Sequence, residues 1–228
     1  MSLHRSSSWK AAVFVSSCLA ASQTLAVDIV SYDISSARPS GEGNWTHVYN
    51  GTMVPNGDGT YAYSGGSGTL TDGILPTTHT NNQLLGQNDA LSITLHLAQP
   101  TIVESIEVWG GARNLNAIPG TIVKWQVTID GLSIRLTSVG FGPGCDSGLC
   151  NDRVFLAGTG LDLVSTSTVT LSRFDSSWQG DYFSIGEITV NAVPEPSSWA
   201  LALIGVPLIL MRGRRFLARS GGSLLRPA

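Results

Sequence analysis

Residues 91–97 read Leu-Ser-Ile-Thr-Leu-His-Leu, so Leu91, Ile93, Leu95 and Leu97 alternate with Ser92, Thr94 and His96. Successive side chains of an extended chain point to opposite faces, and a period of two builds a strand with one buried and one wet face. Val123, Trp125, Val127 and Ile129 repeat the pattern. Asp130-Gly131, just after them, is a strong short-range hairpin signal. No stretch of the body shows a convincing 3.6-residue period, and none repeats at solenoid or propeller spacing. Short β-branched runs between Gly, Asn, Asp and Pro clusters predict strands near residues 28–34, 91–97, 102–109, 123–129, 133–137, 153–156, 168–173 and 183–190. Eight short strands, rich in Gly and turn residues, imply an all-β fold, a jelly-roll β-sandwich.

The two ends of the chain are of another kind. Residues 1–26 read as a secretory signal peptide: His4, Arg5 and Lys10 precede an apolar core at 11–21, and Thr24-Leu25-Ala26 offers a small-x-small cleavage site to signal peptidase. Val15-Ser-Ser-Cys18 is the alternative, a loose lipoprotein box that would leave Cys18 lipidated. The body is then residues 27–191, a length that suits one domain.

Residues 192–216 carry, in order, a Pro-rich break, an apolar run at 200–211 and an arginine cluster at Arg212, Arg214 and Arg215, with a cytoplasmic tail at 217–228 beyond. An apolar run partitions into lipid, and arginines after it resist translocation. The 13 residues 199–211 make roughly 20 Å of helix against about 30 Å of hydrocarbon. Pro207 and Gly205 weaken that helix further, while Trp199 and snorkelling arginines cover part of the shortfall. The run is also readable as a buried C-terminal helix. The three ordered features, with Val193-Pro194-Glu195-Pro196-Ser197 as the opening motif, resemble the PEP-CTERM sorting signal of bacterial exported proteins. That resemblance implies recognition by an exosortase-type processing enzyme, a transient inner-membrane anchor, cleavage near Pro194, Glu195 and Pro196, and transfer to the cell surface or extracellular matrix.

Charge divides at the same borders. All sixteen acidic residues lie between Asp28 and Glu195, where only Arg38, Arg113, Lys124, Arg135, Arg153 and Arg173 are basic, so a whole-chain charge of −3 hides a strongly acidic body. Such a body lacks the Lys/Arg footprint that nucleic-acid binding requires. Cys145 and Cys150, with four residues between them in a Gly-rich loop of an exported chain, favour a disulfide over a metal pair. No second Cys or His pair with zinc spacing completes a tetrahedral site.

A second resemblance rests on the order of several motifs. Leu70-Thr-Asp-Gly73 precedes Ile93-x-Leu95-x-Leu97-x-x-Pro100, a Gly-Gly-Ala-Arg113-Asn114 loop follows, and Phe183-Ser-Ile-Gly-Glu-Ile-Thr-Val190 closes the body. This layout resembles the galactose-binding-like jelly roll of discoidin, or coagulation factor 5/8 C-type, domains over residues 70–191. It departs from them in lacking a Thr…Trp pair after Asp72-Gly73, and residues 27–69 must supply a first strand or lie across the sandwich. The resemblance implies a binding module, usually for carbohydrate, and one structural calcium ion held by Asp72 and Glu187. Calcium takes carboxylate and carbonyl oxygens in a flexible shell. In the ordinary alternative, Asp72 is a turn former and Glu187 an exposed strand residue.

Sugar recognition needs an aromatic face and planar polar groups, carried on loops. Trp109, Arg113 and Asn114 in one loop, His79, Asn81 and Asn82 in a second, and Asp175, Trp178 and Gln179 in a third answer that description, with Arg113, Asn114, Trp178 and His79 foremost. Trp109 ends a strand, a position more often core than platform, and Trp45, His47 and Tyr49 form either a further patch or strand packing. Catalysis has little in its favour, for the chain has no Gly-x-Ser-x-Gly elbow, His-Glu-x-x-His or phosphate-cradling loop. The sequence therefore points to a non-catalytic, exported module that binds exopolysaccharide. Its alternatives are a structural matrix protein without a discrete ligand and a hydrolase on the same scaffold.

Overall fold

The computed structural model describes residues 25–39, 45–78, 80–110, 119–120, 122–138, 150–177 and 181–193. These form twelve strands: β1 (Leu25–Ala26), β2 (Ile29–Ala37), β3 (Thr52–Pro55), β4 (Tyr61–Gly66), β5 (Leu84–Gln87), β6 (Ser92–Gly110), β7 (Ile122–Ile129), β8 (Leu132–Thr137), β9 (Cys150–Phe155), β10 (Ser165–Ser176), β11 (Tyr182–Ile185) and β12 (Glu187–Ala192). Every strand pairing is antiparallel. Among the described residues no helix is long and apolar enough to cross a membrane. The apolar run at 200–211 lies outside them.

The larger layer runs β3-β4-β2-β6-β10-β7-β8. Its inward residues are those the alternation marks: Ile93, Leu95, Val127, Val169 and Leu171 are fully buried. The second layer pairs β12 and β9 with the later part of β6, and β1 with β12. β6 thus serves both layers, pairing β2 over residues 93–97, β10 over residues 92–96 and 101–102, and β9 and β12 over residues 103–110. The bend falls at Gln99-Pro100, where proline's missing N–H suits a break in a ladder. Ile106, Val108, Ile188 and Val190 of the second layer join the same core, forming an antiparallel β-sandwich. Trp125 spans the two layers: its indole N–H donates to Asp152 Oδ2 at 2.9 Å, and its ring stacks on Phe174 at 6.4 Å.

The Asp130-Gly131 turn forms as the dipeptide requires, with φ of 49° and 77° joining β7 to β8. Three differences from the sequence reading have physical causes. The strands expected at 91–97 and 102–109 are one bent strand, because ladder partners lie on both sides of the bend. The strand expected at 183–190 is two, since Gly186 breaks it where an added Cβ would meet Pro76 at 2.7 Å. Residues 27–69 supply β2, β3 and β4, and β2 lies between β4 and β6 with Tyr32 and Ile34 buried. β3 and β4 escaped notice because Thr52–Pro55 is exposed at every position and Tyr61–Gly66 is rich in Ala, Ser and Gly, poor strand formers.

Candidate functional site

Strand direction gives the sandwich two unlike poles. At one, β6 ends at Gly110, β7 begins at Ile122, β10 ends at Ser176 and β11 begins at Tyr182. Backbone bonds tie these ends together: Gly120 N donates to Tyr182 O (2.8 Å), Asn88 N to Asp181 O (2.8 Å) and Gly186 N to Trp109 O (2.7 Å). Asn88 Oδ1 accepts from Ser176 N at 2.6 Å, and Asn88 Nδ2 donates to Asp181 Oδ1 at 3.0 Å. Asp89 and Asp181 both take positive φ, 54° and 61°, a conformation Asp adopts more readily than most residues. Four connections, at 87–91, 111–121, 176–181 and 38–45, therefore start or end within this pole.

Arg38 and Tyr182 stand there together. The guanidinium carbon lies 5.4 Å from the Tyr182 ring centre, and Nη2 donates to the phenol oxygen at 2.6 Å. Arg38 Nε is buried without a partner. A cation resting on a half-buried ring joins a planar donor to an aromatic surface, the two group types that sugar hydroxyls and ring faces require.

Asp72 and Glu187, 115 residues apart in the chain, are brought together. Ile188 N donates to Leu70 O at 2.7 Å, laying the Leu70–Gly73 segment along the start of β12. Gly73 turns with φ of 75°, and its N–H donates to Glu187 Oε1 at 3.3 Å. Asp72 is exposed and accepts from Ile74 N at 2.8 Å, the Asx turn expected of a turn former. Glu187 is not an exposed strand residue: it is 3% exposed, and its Oε2 is buried with no partner. Burial pushes its carboxyl up to about 8; the Gly73 N–H opposes the rise, and the Asp72 carboxylate adds to it. An orphaned carboxyl oxygen beside a second carboxylate is a donor set that fits a hard cation. Among the described residues no group of three or more His, Cys, Asp or Glu gathers for a metal, so backbone carbonyls and water would complete any shell.

No family model and no curated protein matches the chain. Solved structures do. The CBM32 of AlyQ in complex with 4,5-unsaturated mannuronic acid aligns at a TM-score of 0.43 and 11% identity, covering 73% of this chain and 97% of that one. The F5/8 type C domain of a Bacteroides fragilis protein aligns at 0.44 and 11%, covering 75% and 98%. The family 32 CBM from C. perfringens NanJ in complex with galactose aligns at 0.38 and 13%, covering 69% and 98%. At such identities the roles of individual residues stay with those proteins.

Of the residues the sequence nominated for ligand binding, His79, Arg113, Asn114 and Trp178 lie outside the described residues. The described ends of the Arg113 and Trp178 loops are nonetheless joined by the Gly120–Tyr182 bond. The His79 loop is held elsewhere, Thr46 N donating to Thr80 O and Asn82 N to Thr46 Oγ1. Trp109 is half-buried in β6 opposite Glu187. Asp175 is engaged by Arg135 Nη2 at 2.6 Å. Trp45 and His47 are 7% and 3% exposed, and His47 and Tyr49 pack on Tyr32 of β2 and Tyr63 of β4, so this stretch is packing rather than a surface patch. Cys150 is disulfide-bonded, while Cys145 lies outside the described residues, as do Pro194, Glu195, Pro196, Arg212, Arg214 and Arg215. Sequence reasoning missed Arg38 and Tyr182, which are 144 residues apart with no motif around either.

Proposed function

We propose that this chain is an exported, non-catalytic carbohydrate-binding module of the cell surface or extracellular matrix, directed there by its signal peptide and exosortase-type sorting tail. The observation that carries the reading is the Gly120–Tyr182 hydrogen bond at 2.8 Å, which sets the ends of the Arg113 and Trp178 loops side by side next to the Arg38–Tyr182 pair. Distant segments then supply guanidinium, amide and aromatic groups to one loop-covered pole, which is how a rigid sandwich builds a sugar site. Asp72 and Glu187 hold one calcium ion that neutralises their mutual repulsion and fixes the start of β12. Exopolysaccharide is the ligand class that suits a module delivered to the matrix. Cys145 pairs with Cys150 and closes the loop leading into β9.

The test uses protein recovered from its native host. Intact mass should place the C-terminus near Pro196, and the protein should be retained on the host's own polysaccharide. Trp178→Ala and Arg38→Ala should each weaken retention at least tenfold while leaving the melting temperature of the sandwich nearly unchanged for Trp178→Ala. Retention of both variants equal to wild type would refute the site, and an unprocessed tail would refute the sorting.

A further inference from the structure

The opposite pole carries both ends of the described residues, Leu25 and Val193. β12 runs from Glu187, opposite Trp109, to Ala192, opposite Val103, so its ends lie about 17 Å apart along the strand. The chain leaves at Val193, whose N–H donates to Ile102 O at 3.0 Å. It enters at Leu25–Ala26, paired with Ala192 and Asn191, and Val27 N donates to Val190 O at 2.8 Å. The bend of β6 at 98–102 closes this pole, with Asp28 O accepting from Ala98 N at 3.0 Å. Between the ends and the bend lies a cleft of about 880 Å³, lined among others by Leu25, Val27, Pro100, Ile102 and Val193, with Asp28 the one charged residue in its wall. Leu25 and Ala26 leave with the proposed signal peptide, while Ile102 and Val193, 38% and 41% exposed, remain.

The apolar run of the tail begins at Trp199, six residues after Val193. Six residues span at most about 20 Å even when fully extended. If the run sits in a bilayer, this pole lies within that distance of the headgroups, and the loop-bearing pole faces away. We infer that the pole formed by residues 27–28, 98–102 and 192–193 rests on the zwitterionic lipid surface while the tail is uncleaved, with exposed Ile102 and Val193 at the interface. The inference rests on the membrane-tether reading of the tail. It follows that the Arg38–Tyr182 pole points away from the lipid while the tail is uncleaved.

The experiment uses the exported form, residues 27–228, reconstituted in phosphatidylcholine vesicles that contain spin-labelled lipid. A solvent-sensitive fluorophore is attached at Gln99→Cys on the lower pole or at Ala90→Cys on the loop-bearing pole; both positions are exposed. Interfacial contact should quench the label at 99 about twofold and leave the label at 90 unchanged. Protein that floats with the vesicles but shows equal quenching, or none, at the two positions overturns the orientation while leaving the tether intact. Protein that does not float overturns the tether, and the orientation with it.

Discussion

His47 offers a sharp test of how the small aromatic cluster under the Asp72 loop is built. Its ring is 3% exposed and lies 5.5 Å from Tyr63, 6.0 Å from Tyr32 and 6.1 Å from Tyr49, centre to centre. Nε2 meets the Tyr32 hydroxyl at 2.8 Å, and Nδ1 is buried without a partner. Among the described residues the facing groups are phenols, and no carboxylate bonds to the ring, so nothing there stabilises an imidazolium. Burial holds its pKa down at about 4, against 6.5 for a free histidine. Between those values the unfolded chain binds a proton that the folded chain refuses. Stability is therefore fully present above pH 6.5, falls as pH drops toward 4, and loses no more from this group below that. A gap of 2.5 pKa units corresponds to about 3 kcal/mol, or about 10 °C in melting temperature for a domain of this size. His47→Gln keeps a polar group near Tyr32 but does not titrate. Carboxylates contribute their own acid loss to both proteins, so the quantity to measure is the stability difference between wild type and His47→Gln by urea unfolding from pH 7 to pH 4. That difference should fall by about 3 kcal/mol over the interval. A difference that stays constant with pH would refute the account, since His47 would then titrate alike in both states.

Glu187 should behave in the opposite sense. Its carboxyl keeps a proton in the folded state up to about pH 8, so wild-type stability in chelator should fall as pH rises from 4.5 to 8. Glu187→Gln should remove that fall, worth on the order of 2 kcal/mol once solvent screening is allowed for; an unchanged pH profile by thermal melting would count against the burial argument. Millimolar calcium should raise the melting temperature of wild type by several degrees, as a weak extracellular site does, and leave Asp72→Ala unmoved; an equal rise in both would exclude Asp72 as a ligand. Gly86→Ala should cost about 1–3 kcal/mol by overpacking, because its Cβ would meet Phe183 and Leu91 at 2.7 Å. Trp125→Phe should cost roughly 2–4 kcal/mol by urea unfolding through lost volume and a lost bond to buried Asp152; a cost under 0.5 kcal/mol would mean the interlayer bond contributes little.

The alternation of Leu91, Ile93, Leu95 and Leu97, and of Val123 to Ile129, was enough to establish strands, their buried faces and the β7–β8 hairpin, because period and turn chemistry are local properties of the chain. The Asp72–Glu187 pair was also legible, though only through the order of motifs that makes the chain resemble discoidin-type domains; nothing near Glu187 marks it as buried. Where the layers divide was not legible. Whether 91–110 is two strands or one bent one depends on which neighbours share its hydrogen bonds, and one of them, Ala192 opposite Val103, lies 89 residues away. The Arg38–Tyr182 pair, the enclosure of His47 by three tyrosines and the meeting of residues 25–28 and 192–193 beside Ile102 likewise arise only when distant segments meet. Local periodicity determines what each segment can be. Pairing across the sheet, which selects among many segments of the same kind, decides what stands next to what, and that information exists only in the folded chain.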